Sequence, residues 1–157
     1  MFQTSRRTRI GLGLLAGLIA AGSLWLRRLL RPPVDPEIAG LVHRYFKSWS
    51  RRDMDGYRDC FHPTATVHYL RDGKSLSAWS LDRFIEVQRQ ALEQAPWREI
   101  PLAIRVDGDG PISRAVVGWR LYKRDRATAE GVDYFTLANT PGGWKIVHLV
   151  FRSIRRL

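Results

Sequence analysis

Cysteine is almost missing from this sequence. Cys60 stands alone, which excludes an internal disulfide framework and leaves the redox compartment open. The four histidines (His43, His62, His68 and His148) show no HxH, HxxxH or cysteine-containing spacing, so no zinc-ligand motif is present. Glycine-rich phosphate loops, nucleophile elbows and paired-carboxylate spacings are absent. The aromatic-plus-basic signature of RNA binders is missing too. No motif calls for a cofactor, and no specific nucleic acid is expected as a partner.

Acid is scarce as well: 15 Asp and Glu stand against 26 Lys and Arg in 157 residues, a formal net charge of +11. The surplus is uneven. Residues 1–31 hold six arginines and no acid, which leaves 20 basic against 15 acidic residues in the remainder. Over half of the excess therefore flanks one hydrophobic segment, and the rest reads as a solvated basic surface. A hydrophobic share of 45%, with 11% aromatic residues, excludes a disordered chain.

That segment is IGLGLLAGLIAAGSLWL, Ile10 to Leu26, uncharged between Arg6, Arg7, Arg9 and Arg27, Arg28, Arg31. As a helix it would span about 26 Å, slightly short of a ~30 Å hydrocarbon core. Leu29 and Leu30 extend it if Arg27 and Arg28 snorkel. Ala20, Ala21 and Gly22 would suit a secretory cleavage site, but arginines directly after the run oppose translocation. The sequence thus predicts a single-pass membrane anchor in 1–31, with a cleaved signal as the alternative. Three arginines on either side leave the orientation undecided. Arg31-Pro32-Pro33 begins a stiff link over 32–34, and a domain over 35–157 follows.

Within the domain, Ile38, Leu41, Val42, Tyr45, Phe46 and Trp49 fall on one helical stripe, with Asp35 as cap and Pro36 at the first position. Asp53 is placed to cap a short second helix, and His62-Pro63 breaks it. Thr64 to Tyr69 alternates as a strand, Ala65, Val67 and Tyr69 on one face and Thr66 and His68 on the other. Ser80 starts a third helix that Pro96 ends. Strands follow: Ile100, Leu102, Ile104 and Val106 in alternation, then Ile112–Tyr122, Thr128–Ala138 and Trp144–Arg152, joined by turns at Asp107–Pro111, Lys123–Arg126 and Thr140–Gly143. Helices followed by strands predict an α+β fold, with about three helices on a strongly curved, mainly antiparallel sheet. Both faces of the last strands are apolar, so the sheet is expected to enclose a chamber.

Leu41-Val42-His43-Arg44-Tyr45-Phe46, Phe61-His62-Pro63-Thr64-Ala65-Thr66-Val67-His68 and Gly142-Gly143-Trp144-Lys145-Ile146-Val147-His148 resemble the nuclear transport factor 2-like superfamily, which includes ketosteroid isomerases and polyketide-cyclase-like proteins. The resemblance covers about Asp35 to Ile154. It implies a cone of helices and bent sheet around a pocket, and often a homodimer formed through the sheet. Isomerases of this kind use a base and two oxyanion donors. The resemblance puts the helix tyrosine on Tyr45 and the protonated aspartate on Asp133. It puts the base on Tyr69, and a tyrosine, with a reference pKa of about 10, is a poor base near neutrality.

Tyr45 is read as packing or catalysis. Asp133 is read as a pocket acid or a carboxylate paired with Arg120 or Lys145. His148, in parity with Trp144, Ile146 and Val150, is read as facing the cavity or satisfying a core hydrogen bond. Tyr69, Trp119 and Phe135 are expected to line the pocket. The expectation is a non-catalytic, membrane-anchored domain that binds a small apolar molecule or a protein partner. The alternatives are an enzyme using Tyr45, Asp133 and His148 in acid–base chemistry, and a scaffold subunit of a membrane complex.

Overall fold

The computed structural model describes residues 35–71 and 73–157. The anchor expected within 1–31 and the link at 32–34 lie outside them. Among the described residues no helix is long and apolar enough to cross a membrane.

Helix α1 (Pro36–Ser50) forms as its stripe requires: Ile38, Leu41, Val42, Tyr45, Phe46 and Trp49 are all buried. Asp35 accepts the Glu37 N–H at 2.8 Å and closes the first turn. Asp53 caps α2 (Met54–Arg58) by accepting the Gly56 N–H at 2.9 Å. Ser80 caps α3 (Leu81–Gln94) through the Arg83 N–H. Leu81, Phe84, Ile85 and Leu92 give α3 its buried side.

Six strands follow or interleave: β1 (Phe61–Arg71), β2 (Ser75–Ser80), β3 (Trp97–Asp109), β4 (Ile112–Lys123), β5 (Arg126–Thr140) and β6 (Gly143–Arg156). They form one sheet in the order β2-β1-β6-β5-β4-β3. All neighbours are antiparallel except β1 and β6, which run parallel. The sheet is therefore mixed and mainly antiparallel. Strand β2 has no counterpart in the sequence reading. Its residues are mostly exposed, Leu76 among them, and only Trp79 packs toward the core, so alternation offered no signal.

The helices cover one face. Val67, Leu149, Phe135 and Ala115 make one cross-strand row on it, and Phe151, Asp133 and Val117 a second. We call this the inner face. The other, outer face carries Thr66, His68, His148, Val150, Tyr134, Thr136, Val116, Arg114 and Arg105.

Extra residues in single strands change which side chains reach which face. On β3, Pro101 pairs with Trp119 and Ala103 with Gly118, so Leu102 is the extra residue and is half-exposed rather than core. Ile104 and Val106 stay inward, but Ile100 does not share their face, and Glu99 with Pro101 takes its place. On β6, Leu137 pairs with Ile146 and Thr136 with His148, so Val147 is extra. Beyond it Leu149 and Phe151 point inward and His148 and Val150 outward. The expected parity of His148 with Ile146 does not hold, for this reason.

The α1 stripe and the inner face make one core. Phe46 is 1% exposed and meets Tyr45 edge to face. Ser50, at the end of α1, fixes the helix to β3 by donating to the Glu99 carbonyl and accepting the Glu99 N–H, both at 2.9 Å. Truncation of Phe46 to alanine is expected to cost about 3–5 kcal/mol of unfolding free energy, measurable by urea denaturation; a loss below 1 kcal/mol would mean the stripe is not the core.

Candidate functional site

A buried carboxyl lies in the interior at Asp133, on β5. Its residue is 2% exposed. Phe135 and Leu137 follow it in the same inward alternation, as its strand position predicts. Neither Arg120 nor Lys145 pairs with it. Arg120 binds Glu130 on the outer face, and Lys145 donates to the Asp59 carbonyl.

Trp119, on β4, supplies the partner: its indole Nε1–H donates to Asp133 Oδ1 at 2.7 Å. A glycine makes this contact possible. Trp119 faces Gly131 across the β4–β5 ladder, and the indole lies flat over that residue to reach the carboxyl two positions along. A Cβ on Gly131 would stand 2.0 Å from Trp119 Cζ2 and 2.4 Å from the Arg152 carbonyl oxygen. No other residue type fits.

Asp133 Oδ2 is buried and has no hydrogen-bond partner. Burial pushes the Asp133 carboxyl up to about 7, against the pull of the Trp119 N–H and the nearby Tyr45 hydroxyl. Tyr45 reaches this place from the centre of α1, and no hydrogen bond to Oδ2 forms. Burial first, then the Asp133 charge, holds the Tyr45 hydroxyl well above the usual phenol range.

Glu99 joins the group from β3. It is half-buried, and burial together with the charge of Asp133 pushes its carboxyl well up. Both effects favour the neutral form of the Glu99 carboxyl. Simple alternation along β3 puts Ile100 inward and Glu99 outward; only the extra Leu102 reverses that.

Around these polar groups the walls are aromatic. Tyr45 meets Phe135 edge to face at 5.2 Å and Tyr57 at 4.7 Å, and Phe61 and Phe84 complete the packing. Toward the β1–β2 side the rings become half-buried. Tyr69 stacks on Phe151 at 4.8 Å and on Trp79 at 6.1 Å, and Phe151 is the cross-strand partner of Asp133. Of the residues expected at a pocket, Tyr45, Asp133, Tyr69, Trp119 and Phe135 thus share the inner face, and Trp79 and Glu99 join them. His148 does not. It lies on the outer face, half-buried, where it lines a surface groove of about 620 Å³ with Arg105, Arg114, Tyr134 and Thr136. Two further concavities open at Lys123–Thr128 and between α2 and α3. None of the three is lined by Asp133 or Tyr45. Among the described residues no three His, Cys, Asp or Glu side chains gather as a metal site.

The chemistry open to this group is that of a neutral or ionised buried carboxyl with one idle oxygen. Protonated, it donates; ionised, it accepts. In the unfolded chain Asp133 ionises near pH 4, whereas the folded chain holds the proton to about 7. Its contribution to stability is therefore complete below pH 4 and is lost as pH rises through 7, by about 1.4 kcal/mol per unit. Asp133→Asn is expected to flatten that decline in urea unfolding measured at pH 5, 6 and 7. An undiminished slope in the variant would remove Asp133 as its source. Gly131→Ala should weaken folding by displacing the indole, with a shift in tryptophan fluorescence as the readout.

Comparison with solved structures bears on the fold. A nuclear transport factor 2-like protein with a cystatin-like fold from Novosphingobium aromaticivorans is similar at a TM-score of 0.62 and 16% identity, covering 89% of this chain and 90% of its own. A protein from Kribbella flavida gives 0.66 at 13% identity, over 78% and 91%. A protein of unknown function with a cystatin-like fold from Nostoc punctiforme gives 0.64 at 11%, over 75% and 89%. At such identities the likeness is one of fold. No curated protein matches the chain. Residues 34–152 match the family model described as "Putative lumazine-binding", and with that span of its length the chain belongs to this family, on the nuclear transport factor 2-like fold.

Proposed function

We propose that the domain binds a small planar heteroaromatic molecule on the inner face of the sheet, without catalysis. The observation that carries this is the idle Oδ2 of Asp133, a buried carboxyl oxygen with no partner. Leaving such an atom unsatisfied costs about 1–3 kcal/mol, and a ligand group that bonds to it recovers that cost. The half-buried rings of Tyr69, Trp79 and Phe151 offer stacking surface next to it, and stacked or edge-on aromatic contacts add about 0.5–1.5 kcal/mol each. A flat ring that slides in between them must part those rings, and its polar edge then meets Asp133. The family description names lumazine, a fused heteroaromatic ring with N–H and C=O groups on its edge. A carboxyl poised between donor and acceptor suits such an edge.

The residues that surround the acid support binding without catalysis. Tyr69 occupies the position of the base in the resemblance to isomerases, and His148 faces away from Asp133. A second reading has one observation in its favour: a carboxyl at about 7 beside Tyr45 is in the range for general acid–base work. In that case Asp133 and Tyr45 would act on a carbonyl substrate. Residues 10–26 are read as a single-pass anchor that keeps the domain at a membrane.

Titration of the purified chain with lumazine, followed by tryptophan fluorescence, is expected to give saturable quenching. Asp133→Ala should weaken it about tenfold or more, and Phe151→Ala should weaken it too. Absence of quenching, or an affinity untouched by Asp133→Ala, would sink the proposal. Turnover of a steroid-like ketone that Asp133→Asn abolishes would replace it with the enzyme reading. The anchor is checked by carbonate extraction of native membranes: the chain should stay in the pellet.

A further inference from the structure

The parallel pairing of β1 with β6 brings together two histidines that are far apart in the chain. Thr66 is the register partner of His148, and His68 that of Val150. All four side chains lie on the outer face. The rings of His68 and His148 come to 5.0 Å between centroids, with an angle of 57° between their planes. Thr66 Oγ1 is 2.7 Å from His148 Nδ1. Nδ1 of His68 is buried and has no hydrogen-bond partner.

We infer that His68 and His148 together hold a divalent metal ion of the imidazole-preferring class, such as zinc. Three independent features point to it. The first is spacing. With metal–nitrogen bonds of about 2.0–2.1 Å, an ion shared by two imidazoles sits about 3.2 Å from each ring centre. Centroids 5.0 Å apart then subtend an angle of about 100° at the ion, close to tetrahedral.

The second is the hydrogen bond to Thr66. Metal-bound histidines characteristically commit their other ring nitrogen to an oxygen, which fixes tautomer and orientation. With Nδ1–H given to Thr66, Nε2 of His148 carries the lone pair. The third feature is the orphaned Nδ1 of His68. A buried polar atom without a partner calls for an occupant, and a cation satisfies a lone pair with no hydrogen of its own.

Two protein ligands leave coordination positions for water, and the groove beside His148 gives water access. The nearest cation along that row of the sheet, Arg114, is already committed to Asp107 at 2.9 Å. The site lies on the opposite side of the sheet from Asp133, so it stands or falls separately from the ligand proposed there.

The test is zinc chloride titrated calorimetrically into the full chain, purified without a histidine tag. One ion per chain is expected. His68→Gln and His148→Gln should each weaken binding about tenfold or more, and Thr66→Val by a smaller factor through loss of the orienting bond. Asp133→Asn should leave it unchanged. A second readout needs no variant: zinc should shift the ring proton resonances of His68 and His148 together and leave those of His43 and His62 in place. No binding by the wild-type chain, equal affinity in both glutamine variants, or shifts confined to His43 or His62 would each overturn the inference.

Discussion

Every extra residue in a strand exchanges the faces of all residues beyond it, and this sheet depends on where those exchanges fall. A strand alternates with period two, so one inserted position is enough to turn a whole segment over. Leu102 does so on β3 and Val147 on β6. Without the first, Glu99 would face solvent and Ile100 the core. Without the second, Leu149 and Phe151 would leave the core and His148 would enter it. The place of Glu99 in the interior and that of His148 beside His68 are products of these two insertions.

The interior shows how a carboxyl is kept inside an apolar core. Asp133 has a single firm partner, the Trp119 indole, and that partner is held in place by the lack of a side chain at Gly131. Three residues on two strands thus act as a unit: removal of the glycine displaces the indole, and loss of the indole strips the carboxyl of its bond. Desolvation does the rest. It holds the acid near neutrality, where proton gain and loss are both accessible. Tyr45 completes the group from α1, so the stripe that anchors the helix also delivers a hydroxyl to the acid.

The outer face follows a different logic. Among the described residues no helix covers it, and several of its polar groups are paired locally. Arg120 and Arg155 share Glu130, Arg114 takes Asp107, and Thr66 takes His148. Exposed ion pairs of this sort contribute little to stability, and what they do is assign partners to charges. Among the described residues His68 Nδ1 is a buried atom left without a partner, and it sits against the one parallel seam of the sheet.

Much of this could be read from the chain alone. The α1 stripe, the Asp35, Asp53 and Ser80 caps, the four later strands and the inward parity of Asp133 with Phe135 were all legible, because each rests on local periodicity or on a side chain that bonds its own backbone. The order of elements was enough to place helices against one face of a sheet. Pairing was not legible, since it joins residues distant in sequence. Strand β2 carries too few buried residues to alternate. The insertions at Leu102 and Val147 leave no mark in composition, and both displaced a predicted inner residue. The sequence by itself thus determined which segments are helix or strand and which residues are apolar enough to form a core. Only the tertiary structure decided which polar side chains meet, because register, bulges and the parallel β1–β6 seam are settled by packing between segments and not within them.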